Sequence, residues 1–349
     1  MLKIDGSYGE GGGQILRTSL SLSVLTGQAI EIYNIRAKRK NPGLQAQHLA
    51  AVFATQKISE AKVSEARIGS QILRFEPKKI KPGKYEFDIG TAGSTTLVGQ
   101  TILLPLAFTE RPSEVLIIGG THNPFAPPFH YFSEVFLPMI EKLSISVAIK
   151  IERYGFYPKG GGRVRLFIQQ THELQPKNFL ERGNLKKISG LSVVANLPLE
   201  IAERQKKSLI NHLKTISLIR ANTGNSNFAE KIKIERVQAL SPGTFIFLKA
   251  RFTNVLAGFS ALGERGKPAE KVAQEVAQQF INYYQSEKCL DPFLADQIVL
   301  YLALTKKPFA FTVSRLSSHL LTHLWLLEKF LGVKIKIDQL ENKIFYGRN

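Results

Sequence analysis

The stretch Thr312-Val313-Ser314-Arg315-Leu316-Ser317-Ser318-His319-Leu320-Leu321-Thr322 joins a β-branched run to a helix with strong apolar periodicity. Ser317 or Ser318 is expected to cap this helix, because a serine hydroxyl accepts a hydrogen bond from a free N–H group of the first turn. His319 then falls in the first turn, where the positive end of the helix dipole disfavours imidazolium and attracts anions. A neutral imidazole beside an anion site is what a histidine nucleophile needs to attack a phosphate.

A two-histidine metal site is one alternative for this helix, and a solvated or simply capped histidine is another. His323 lies four residues after His319, on the same helix face. No acidic residue lies between them in the arrangement of zinc proteases, and the surroundings are leucines and Trp325. The sequence therefore disfavours metal binding by this pair.

Helix-then-strand units recur on both sides of this chain's central region. Apolar residues at helical spacing, ended by glycine, proline or a strand-like run, predict these units. The predicted helices are residues 15–25, 44–59, 94–108, 131–143, 296–304 and 319–331. The strands that follow the first four are 30–35, 61–68, 114–118 and 146–151, and the last two helices are accompanied by strands 310–313 and 333–337. The units group most readily as three pairs.

The sequence between the second and third pairs has a different texture. Glu181-Arg182-Gly183-Asn184 is typical of a boundary, and a helix at 268–284 opens with proline in its first turn. Further elements are predicted at 188–196 (strand), 202–213 (helix) and 244–252 (strand). We therefore predict a large repeated domain of residues 1–183 and 285–349 and a smaller inserted α/β domain of residues 184–284.

The composition indicates a folded protein with a polyanionic partner. The 349 residues, 44% hydrophobic and 21% charged, are enough for two or more domains. The net charge of +19 favours nucleic acid as a partner through phosphate neutralisation, although a generally basic proteome is an alternative explanation. Cys289 is the single cysteine, which excludes an internal disulfide and favours a reducing compartment. No apolar run reaches membrane-spanning length, so we expect a cytoplasmic protein without a membrane partner.

Three glycine-rich segments are candidates for ligand-binding loops. Residues 5–14 precede a helix and place Glu10 among glycines, where backbone N–H groups can approach an anion. The spacing fits neither a Walker loop nor a dinucleotide fingerprint, and a tight turn is the plain alternative. Residues 119–124 and 155–162 each follow a predicted strand. Together with the histidine helix, the three loops indicate one pocket.

A basic loop adds a candidate phosphate clamp. Arg36-Ala37-Lys38-Arg39-Lys40 carries four cations, and Gln47-His48 follows near the start of a helix. Arg36 and Arg39 can grip a phosphate with two parallel hydrogen bonds, whereas lysine acts as a point charge. A charge run is more often only a solvated surface, so this loop gains weight from the other segments.

Taken together, these segments resemble the RNA 3′-terminal phosphate cyclase family nearly from end to end. The earlier motifs are Gly9-Glu10-Gly11-Gly12-Gly13-Gln14-Ile15-Leu16-Arg17, Ile35-Arg36-Ala37, Pro42-Gly43-Leu44, Gln47-His48-Leu49 and Gly90-Thr91-Ala92-Gly93-Ser94. The later ones are Asn123-Pro124, Ala126-Pro127-Pro128, Gly155-Phe156-Tyr157-Pro158, Leu294-Ala295-Asp296-Gln297 and His319-Leu320-Leu321-Thr322. The resemblance is weakest in the predicted insert.

The resemblance implies an α+β fold of three repeats, each with two helices on a four-stranded sheet, plus the inserted α/β domain. It also implies a reaction that uses ATP and a divalent metal (Mg or Mn) to convert an RNA 3′-phosphate end into a 2′,3′-cyclic phosphodiester. His319 matches the nucleophile, which takes AMP on Nε2 and passes it to the RNA phosphate. RNA with a 3′-phosphate end is the implied partner, and no obligate protein partner is evident.

The resemblance further assigns supporting roles to residues of the candidate loops. It implies that Glu10 holds the metal, and that Pro127 and Phe293 flank the adenine. The residues implied to orient phosphates of ATP or of the RNA end are Arg17, Arg36, Arg39, Gln47 and His48. Those implied to seat the nucleoside are Gln100, Pro127, Phe293, Leu294, Ala295, Asp296 and Gln297.

Several positions depart from the family pattern, and other functions compete. Many relatives carry tyrosine at Phe293 and aspartate at His122, and Arg315 lies just before the nucleophile. A non-catalytic branch binds RNA in ribosome assembly, and the presence of His319 argues against it. An enolpyruvyl transferase shares a similar repeated fold but normally lacks the start Gly-Glu-Gly-Gly-Gly-Gln. A basic RNA-binding module without activity is the remaining alternative.

Overall fold

The computed structural model describes residues 1–214 and 231–347, which form four β-sheets with helices packed on them. The helices are α1 (Gly13–Thr26), α2 (Ala46–Ser59), α3 (Thr95–Ala107), α4 (Phe129–Tyr131), α5 (Leu137–Glu141), α6 (Leu199–Lys214), α7 (Ala269–Ser286), α8 (Pro292–Leu304) and α9 (Ser318–Leu331), and a π-helical turn (Phe132–Phe136) joins α4 to α5. The predicted α+β class is confirmed.

The strands in the described ranges are short, and most have one buried face. They are β1 (Leu2–Asp5), β2 (Ile30–Tyr33), β3 (Lys62–Ser64), β4 (Leu73–Glu76), β5 (Lys84–Asp88), β6 (Ser113–Gly119), β7 (Val147–Arg153), β8 (Gly162–Ile168), β9 (Leu185–Ala195), β10 (Ile232–Val237), β11 (Gly243–Phe252), β12 (Leu256–Leu262), β13 (Phe309–Thr312), β14 (Lys336–Asp338) and β15 (Lys343–Tyr346).

The first two sheets have the same pairing pattern. Their strand orders are β1-β2-β4-β3 and β5-β6-β8-β7. In each, the first pair is parallel and the remaining pairs are antiparallel. A parallel pair needs a crossover connection, and the helices α1 and α3 supply it. Helix α1 packs on β2 and β4 of the first sheet, and α3 packs on β6 and β8 of the second.

The third sheet contains three strands, in the order β13-β15-β14, rather than the expected four. A parallel bridge between Phe179 and Phe311 stands where the fourth strand would pair. The N–H of Phe179 donates to the carbonyl of Ala310 at 2.9 Å, and the N–H of Thr312 donates to the carbonyl of Phe179 at 3.0 Å. The segment around Phe179 thus supplies one bridge in place of a full edge strand.

The fourth sheet lies in the central part of the chain and has the order β10-β9-β11-β12. Helices α6 and α7 pack against each other and against this sheet. Their buried residues recur at helical spacing, as in Val272, Ala273, Val276, Ala277 and Phe280 of α7. This part of the chain has a sheet and a helix pair of its own.

Helices that accompany the first three sheets pack against one another. Helix α1 contacts α2, α3 and α9, and α9 also contacts α8. Because α1 starts near residue 13 and α9 starts at residue 318, both ends of the chain reach the same place. The helix starts there carry the glycine-rich segment and His319.

The predicted helices agree with the observed ones, whereas several strands were missed. The missed strands are β1, β4, β5, β8, β10, β12 and β15. The predicted strand 61–68 ends early at Ser64, because Glu65 has a φ of 62° and turns the chain. In the described ranges, no helix is long and apolar enough to cross a membrane.

Candidate active site

The imidazole of His319 lies at the start of α9, as the sequence predicts. Ser317 is the N-cap, and its hydroxyl accepts a hydrogen bond from the N–H of Leu320 at 2.9 Å. The amide of Gln14, in the first turn of α1, donates to the carbonyl of His319 at 2.7 Å. The first and last long helices are therefore joined directly at the candidate nucleophile.

Carboxylates approach both ring nitrogens of His319. Oε2 of Glu10 lies 3.5 Å from Nε2, and Oδ2 of Asp296 lies 3.8 Å from Nδ1. Partial burial lowers the pKa of His319, with Arg17 and Arg39 acting in the same direction and Glu10 opposing them. A lowered pKa keeps the ring neutral at physiological pH, so a lone pair is available on one nitrogen.

The carboxyl group of Asp296 is buried behind the nucleophile. The hydroxyl of Ser317 donates a short hydrogen bond to its Oδ1 atom. Burial raises the pKa of Asp296 to about 7, against the smaller opposing effect of that hydrogen bond. The capping serine thus has two roles, since it caps the start of α9 and holds the carboxyl group that faces Nδ1 of His319.

His323 is a buried linking residue rather than a metal ligand. Its Nε2 atom lies 3.0 Å from Oγ1 of Thr18, and its Nδ1 atom hydrogen-bonds to the backbone carbonyl of Asp296. Burial lowers its pKa to about 4. Because both nitrogens are engaged, His323 ties α9 to α1 and α8. Among the described residues, no group of three or more His, Cys, Asp or Glu side chains is placed to hold a metal.

The glycine-rich segment leaves room for side chains that converge on it. A Cβ atom at Gly13 would lie 2.3 Å from Nε2 of His48 and 2.8 Å from Nη1 of Arg17. A Cβ atom at Gly12 would lie 3.3 Å from Nη2 of Arg39. Only glycine fits at position 13, because the side chains of His48 and Arg17 occupy the space that a Cβ atom would need.

Arg17, Arg36 and His48 form a positive cluster beside this helix start. Burial and the neighbouring charge of Arg36 lower the pKa of Arg17 to about 10. Burial lowers the pKa of Arg36 as well, with a contribution from Arg39. Within the described part of the chain, neither Arg17 nor Arg36 has a carboxylate partner within 4.0 Å. Cations held together without a counter-ion are the electrostatic signature of an anion site.

His48 has a defined protonation state in this cluster. The backbone N–H of Gln45 donates to Nδ1 of His48 at 3.1 Å, so a neutral ring carries its proton on Nε2. Burial, with the charges of Arg17 and Arg36 acting in the same direction, lowers the pKa of His48 to about 3. His48 is thus a neutral hydrogen-bond donor pointing at the space in front of Gly13, and it has no free lone pair there.

Arg39 takes a different position from the other two arginines. Its Nη2 atom lies 3.4 Å from Oε2 of Glu10, the same oxygen that faces His319. Both side chains of this pair are partly exposed. Arg39 is therefore adjacent to the nucleophile, whereas Arg36 lies with Arg17 and His48.

Residues predicted for the nucleoside line a large cleft of about 1880 Å³. Phe293 is partly exposed. The side-chain amide of Gln297 donates a hydrogen bond to the carbonyl of Phe293 at 2.7 Å and accepts one from the amide of Gln100. The predicted site residues that line the cleft are Arg17, Gln47, Gln100, Pro127, Phe293, Asp296, Gln297 and His319. Those outside its lining are Glu10, Arg36, Arg39, His48, Leu294 and Ala295.

Leu294 and Ala295 have fully buried side chains, so only their backbone is available to a ligand. The N-cap of α8 is Asp291, whose carboxylate accepts from the N–H groups of Phe293 and Leu294 at 3.0 and 2.9 Å. Tyr131 donates to the same oxygen of Asp291 at 3.0 Å. This buried contact fixes the helix start that presents Phe293.

Comparison with known proteins identifies the family. A family model described as RNA 3′-terminal phosphate cyclase matches residues 8–337. The chain belongs to this family. It is 39% identical to the RNA 3′-terminal phosphate cyclase of Gloeothece citriformis over 99% of this chain and 98% of that protein. It is 42% identical to that of Methylococcus capsulatus over 95% and 91%, and 41% identical to that of Pyrococcus abyssi over 97% and 95%.

His122, noted above as a departure from other cyclase sequences, is a packing residue in this chain. It is buried, its Nε2 atom lies 3.0 Å from Nδ1 of His130, and its ring stacks on Phe245 at 4.0 Å between centroids. Burial lowers the pKa of His130 to about 4 and that of His122 well below its ordinary value. The neutral pair packs the second sheet's loops against β11.

Sequence reasoning missed several residues of this cyclase-family site. Gln14 and Thr18 position the helix starts through hydrogen bonds to His319 and His323, which are 305 residues away and meet them only in the folded chain. Thr322 and Asp291 act locally, through hydrogen bonds to the carbonyl of Ser318 and from the N–H of Leu294. The signal for Gln14 was available, because it directly follows the glycine run. The stacking of Tyr8 on Trp325, with ring centroids 4.1 Å apart, had no local signal.

Proposed function

We propose that this chain converts the 3′-phosphate end of RNA into a 2′,3′-cyclic phosphodiester with ATP as the energy source. One observation carries the proposal. A half-exposed neutral histidine stands between two carboxylates, with Arg17, Arg36 and Arg39 on the adjoining segments. This arrangement joins a nucleophile to binding sites for phosphate groups. The curated relatives named above carry this activity in their names.

The first step is transfer of AMP to His319. The lone pair on Nε2 attacks the α-phosphorus of ATP, a P–N bond forms, and pyrophosphate leaves. The ring gains positive charge as the bond forms, while Nδ1 keeps its proton. Oδ2 of Asp296, 3.8 Å from Nδ1, is placed to stabilise that charge and to hold the ring orientation.

Two further displacements complete the reaction. An oxygen of the RNA 3′-phosphate attacks the same phosphorus, frees His319 and forms an RNA–adenylate anhydride. The vicinal 2′-OH then attacks the RNA phosphorus, and AMP leaves. Adenylylation is needed because an unactivated phosphate monoester has a poor leaving group. The freed neutral imidazole of His319 is available to accept the hydroxyl proton.

The cation cluster is suited to orient the phosphate groups in these steps. Arg17 and Arg36 provide charge without carboxylate partners in the described ranges, and His48 provides a neutral N–H donor. Binding of a phosphate here would relieve the repulsion between Arg17 and Arg36, which adds to burial in lowering the pKa of Arg17. We propose that this cluster holds one phosphate group and that Arg39, beside Glu10, serves the phosphate group nearest to His319.

The residues beside His319 fit a divalent metal ion that binds together with the nucleotide phosphates. Oε2 of Glu10 faces Nε2 of His319 at 3.5 Å, and two acceptor atoms at that distance repel unless a cation or a proton is near. Magnesium is commonly bound by one or two carboxylates together with substrate phosphates. Glu10 would hold the ion, which supplies charge neutralisation at the triphosphate, and manganese would fit the same oxygen ligands.

We propose that the architecture follows the predicted plan of repeats and insert. The shared pairing pattern of the first two sheets, and the bridge at Phe179 in the third, support three repeated units. The separate sheet and helix pair of the central region support an inserted domain near residues 184–284. A cytoplasmic location remains a prediction from the single cysteine.

Incubation of the pure protein with [α-³²P]ATP tests this proposal. Covalent label on the protein, followed by conversion of a 3′-phosphate RNA to the cyclic form, is the expected result. The ribosome-assembly alternative predicts RNA binding without label. Absence of label at any divalent metal concentration would overturn the enzymatic proposal.

A further inference from the structure

Two exposed aromatic rings stand at the rim of the cleft that contains His319. Phe125 is fully exposed, and Tyr157 is 75% exposed, although both line the cleft. Phe125 also has a φ of 60°, a backbone conformation that is costly for a bulky residue. A large apolar side chain held fully in solvent by a strained backbone indicates a ligand that covers it.

The two rings are carried by loops that leave the second sheet side by side. The N–H of Thr121 donates to the carbonyl of Gly155 at 2.9 Å, and the N–H of Gly155 donates to Oγ1 of Thr121 at 3.0 Å. Prolines flank both rings, with Pro124 before Phe125 and Pro158 after Tyr157. Because proline fixes its φ angle, these loops present the rings at a low entropic cost.

The proposed inserted domain, residues 184–284, is called the central domain below, and it lines the other side of the same cleft. The N–H of Lys159 donates to Oγ of Ser241 at 3.1 Å, which holds the Tyr157 loop against the turn before β11. A Cβ atom at Gly243 would lie 2.2 Å from the ring of Phe156, so the two surfaces meet without a gap. The same cleft is thus lined by His319, by both rings and by residues of the central domain.

The charges along this path favour a polyanion. Arg265 lies in the cleft wall of the central domain and has no carboxylate within ion-pair distance among the described residues. Arg204 and Lys267 line the same wall, although each is paired with a glutamate. A groove that combines cations with exposed aromatic rings is the pattern by which proteins bind single-stranded nucleic acid.

We infer that Phe125 and Tyr157 form a stacking platform for the unpaired bases that precede the last two nucleotides of the RNA 3′-phosphate end. The inference rests on the proposed function, because it takes the reacting RNA end to lie at His319. A single-stranded end then leaves the active site along the cleft, stacks its bases on the two rings and brings its phosphates to Arg265. The site would therefore prefer RNA ends with several unpaired nucleotides over very short ones.

Binding of RNA without ATP tests this platform separately from catalysis. The probe is a fluorescein-labelled single-stranded RNA decamer with a 3′-phosphate, followed by anisotropy, with a dinucleotide 3′-phosphate as competitor. The double variant Phe125→Ala/Tyr157→Ala should bind the decamer about tenfold more weakly, since stacking supplies much of such affinity. The inhibition constant of the dinucleotide and AMP labelling should stay unchanged.

Matched variants and substrates separate stacking from other effects. Phe53→Ala, at an exposed ring on α2 outside the cleft, should leave all these values unchanged. Tyr157→Phe should bind the decamer like the wild type, because it keeps the ring. A decamer without bases at the third and fourth positions from the end should bind the wild type as weakly as the double variant binds the intact decamer.

The inference is overturned if the double variant binds the decamer with wild-type affinity, or if the abasic decamer binds normally. It is also overturned if the dinucleotide weakens as much as the decamer, because the rings would then serve the reacting end itself. A protein that binds the decamer through these rings but takes no label from ATP would contradict the proposed catalysis alone. The two hypotheses can therefore fail separately.

Discussion

Oε2 of Glu10 lies between Nε2 of His319 and Nη2 of Arg39, at 3.5 Å from the first and 3.4 Å from the second. One carboxylate thus connects the glycine-rich segment, the basic loop and the nucleophile helix. A negative group placed beside a nucleophile would hinder attack on a phosphate unless cations balance it. Arg39, and the metal that a nucleotide brings, are the groups suited to that balance.

His319→Ala should abolish AMP labelling, because it removes the attacking nitrogen. In the wild type, the label should be lost in acid and retained in alkali, as expected for a phosphoramidate. The control is His172→Ala, which removes an exposed histidine outside the cleft lining. Full labelling of His319→Ala would contradict the assignment and direct attention to a lysine, since His48 carries its proton on Nε2.

Gly13→Ala should lose labelling and cyclisation while the protein stays folded. The added Cβ atom would lie 2.3 Å from Nε2 of His48 and would displace the cation cluster. Alanine is more favourable than glycine in a helix by about 1 kcal/mol, which offsets part of the cost of moving the His48 ring. The temperature of thermal unfolding should therefore change little. Gly99→Ala is the matched control, because its nearest contact would be an ordinary 3.6 Å. Equal activity in both variants would show that no phosphate group binds in the space in front of Gly13.

Arg36→Ala should impair RNA cyclisation more than AMP labelling. Arg36 lies with Arg17 and His48, away from the Glu10 carboxylate, and is suited to the RNA 3′-phosphate. A lost charge-assisted contact of about 2–3 kcal/mol corresponds to roughly two decades in rate. Arg39→Ala should reduce both activities, because Arg39 adjoins the nucleophile. Measuring both steps in each variant decides this, and parallel losses in Arg36→Ala would rule out a separate RNA-end role.

Asp296→Asn should make the protein more stable at pH 8 and less active. The pKa of Asp296 is raised from 3.8 to about 7, so the folded state holds its proton more tightly than the unfolded state between those values. Stability therefore falls as pH rises through this window, by up to about 4 kcal/mol at pH 8. Asparagine cannot ionise and avoids this loss. Urea unfolding at pH 4 and pH 8 should show the difference at pH 8 only; a constant difference would contradict the raised pKa.

Phe293→Ala should raise the ATP concentration needed for half-maximal labelling about tenfold, whereas Phe293→Tyr should label normally. The exposed ring lines the cleft and can stack on a base, and the side chains of Asp291 and Gln297 hold the backbone of Phe293. ATP should also be preferred over GTP, because polar groups near the base edge must discriminate between purines. Equal labelling rates with limiting ATP and GTP would contradict an adenine site.

The elements that the sequence predicted correctly are those specified by a local residue pattern. Helix α9, its cap at Ser317 and the position of His319 follow from periodicity and capping rules, and the family resemblance was carried by ordered motifs. Strands such as β5, with the sequence Lys-Tyr-Glu-Phe-Asp and largely exposed residues, lack a clear local signal. Their existence depends on pairing with β6, which only the folded chain provides.

The site was predicted in its membership but not in its internal geometry. Arg36 and Arg39 are close in sequence, yet one joins Arg17 and His48 and the other joins Glu10. The role of Asp296 also changed, because its carboxylate faces Nδ1 of His319 as well as the cleft. Such differences depend on backbone turns, for example the φ of 55° at Arg36, that residue spacing does not reveal.

The hydrogen bonds that join Gln14 to His319 and Thr18 to His323 each span 305 residues. During synthesis on the ribosome, the N-terminal partner of each bond waits until nearly the whole chain has emerged. A growing chain can fold its early sheets, but it cannot assemble the nucleophile with its surroundings. Premature termination anywhere before α9 would therefore yield products without reactivity toward nucleotides, however well their early sheets had folded.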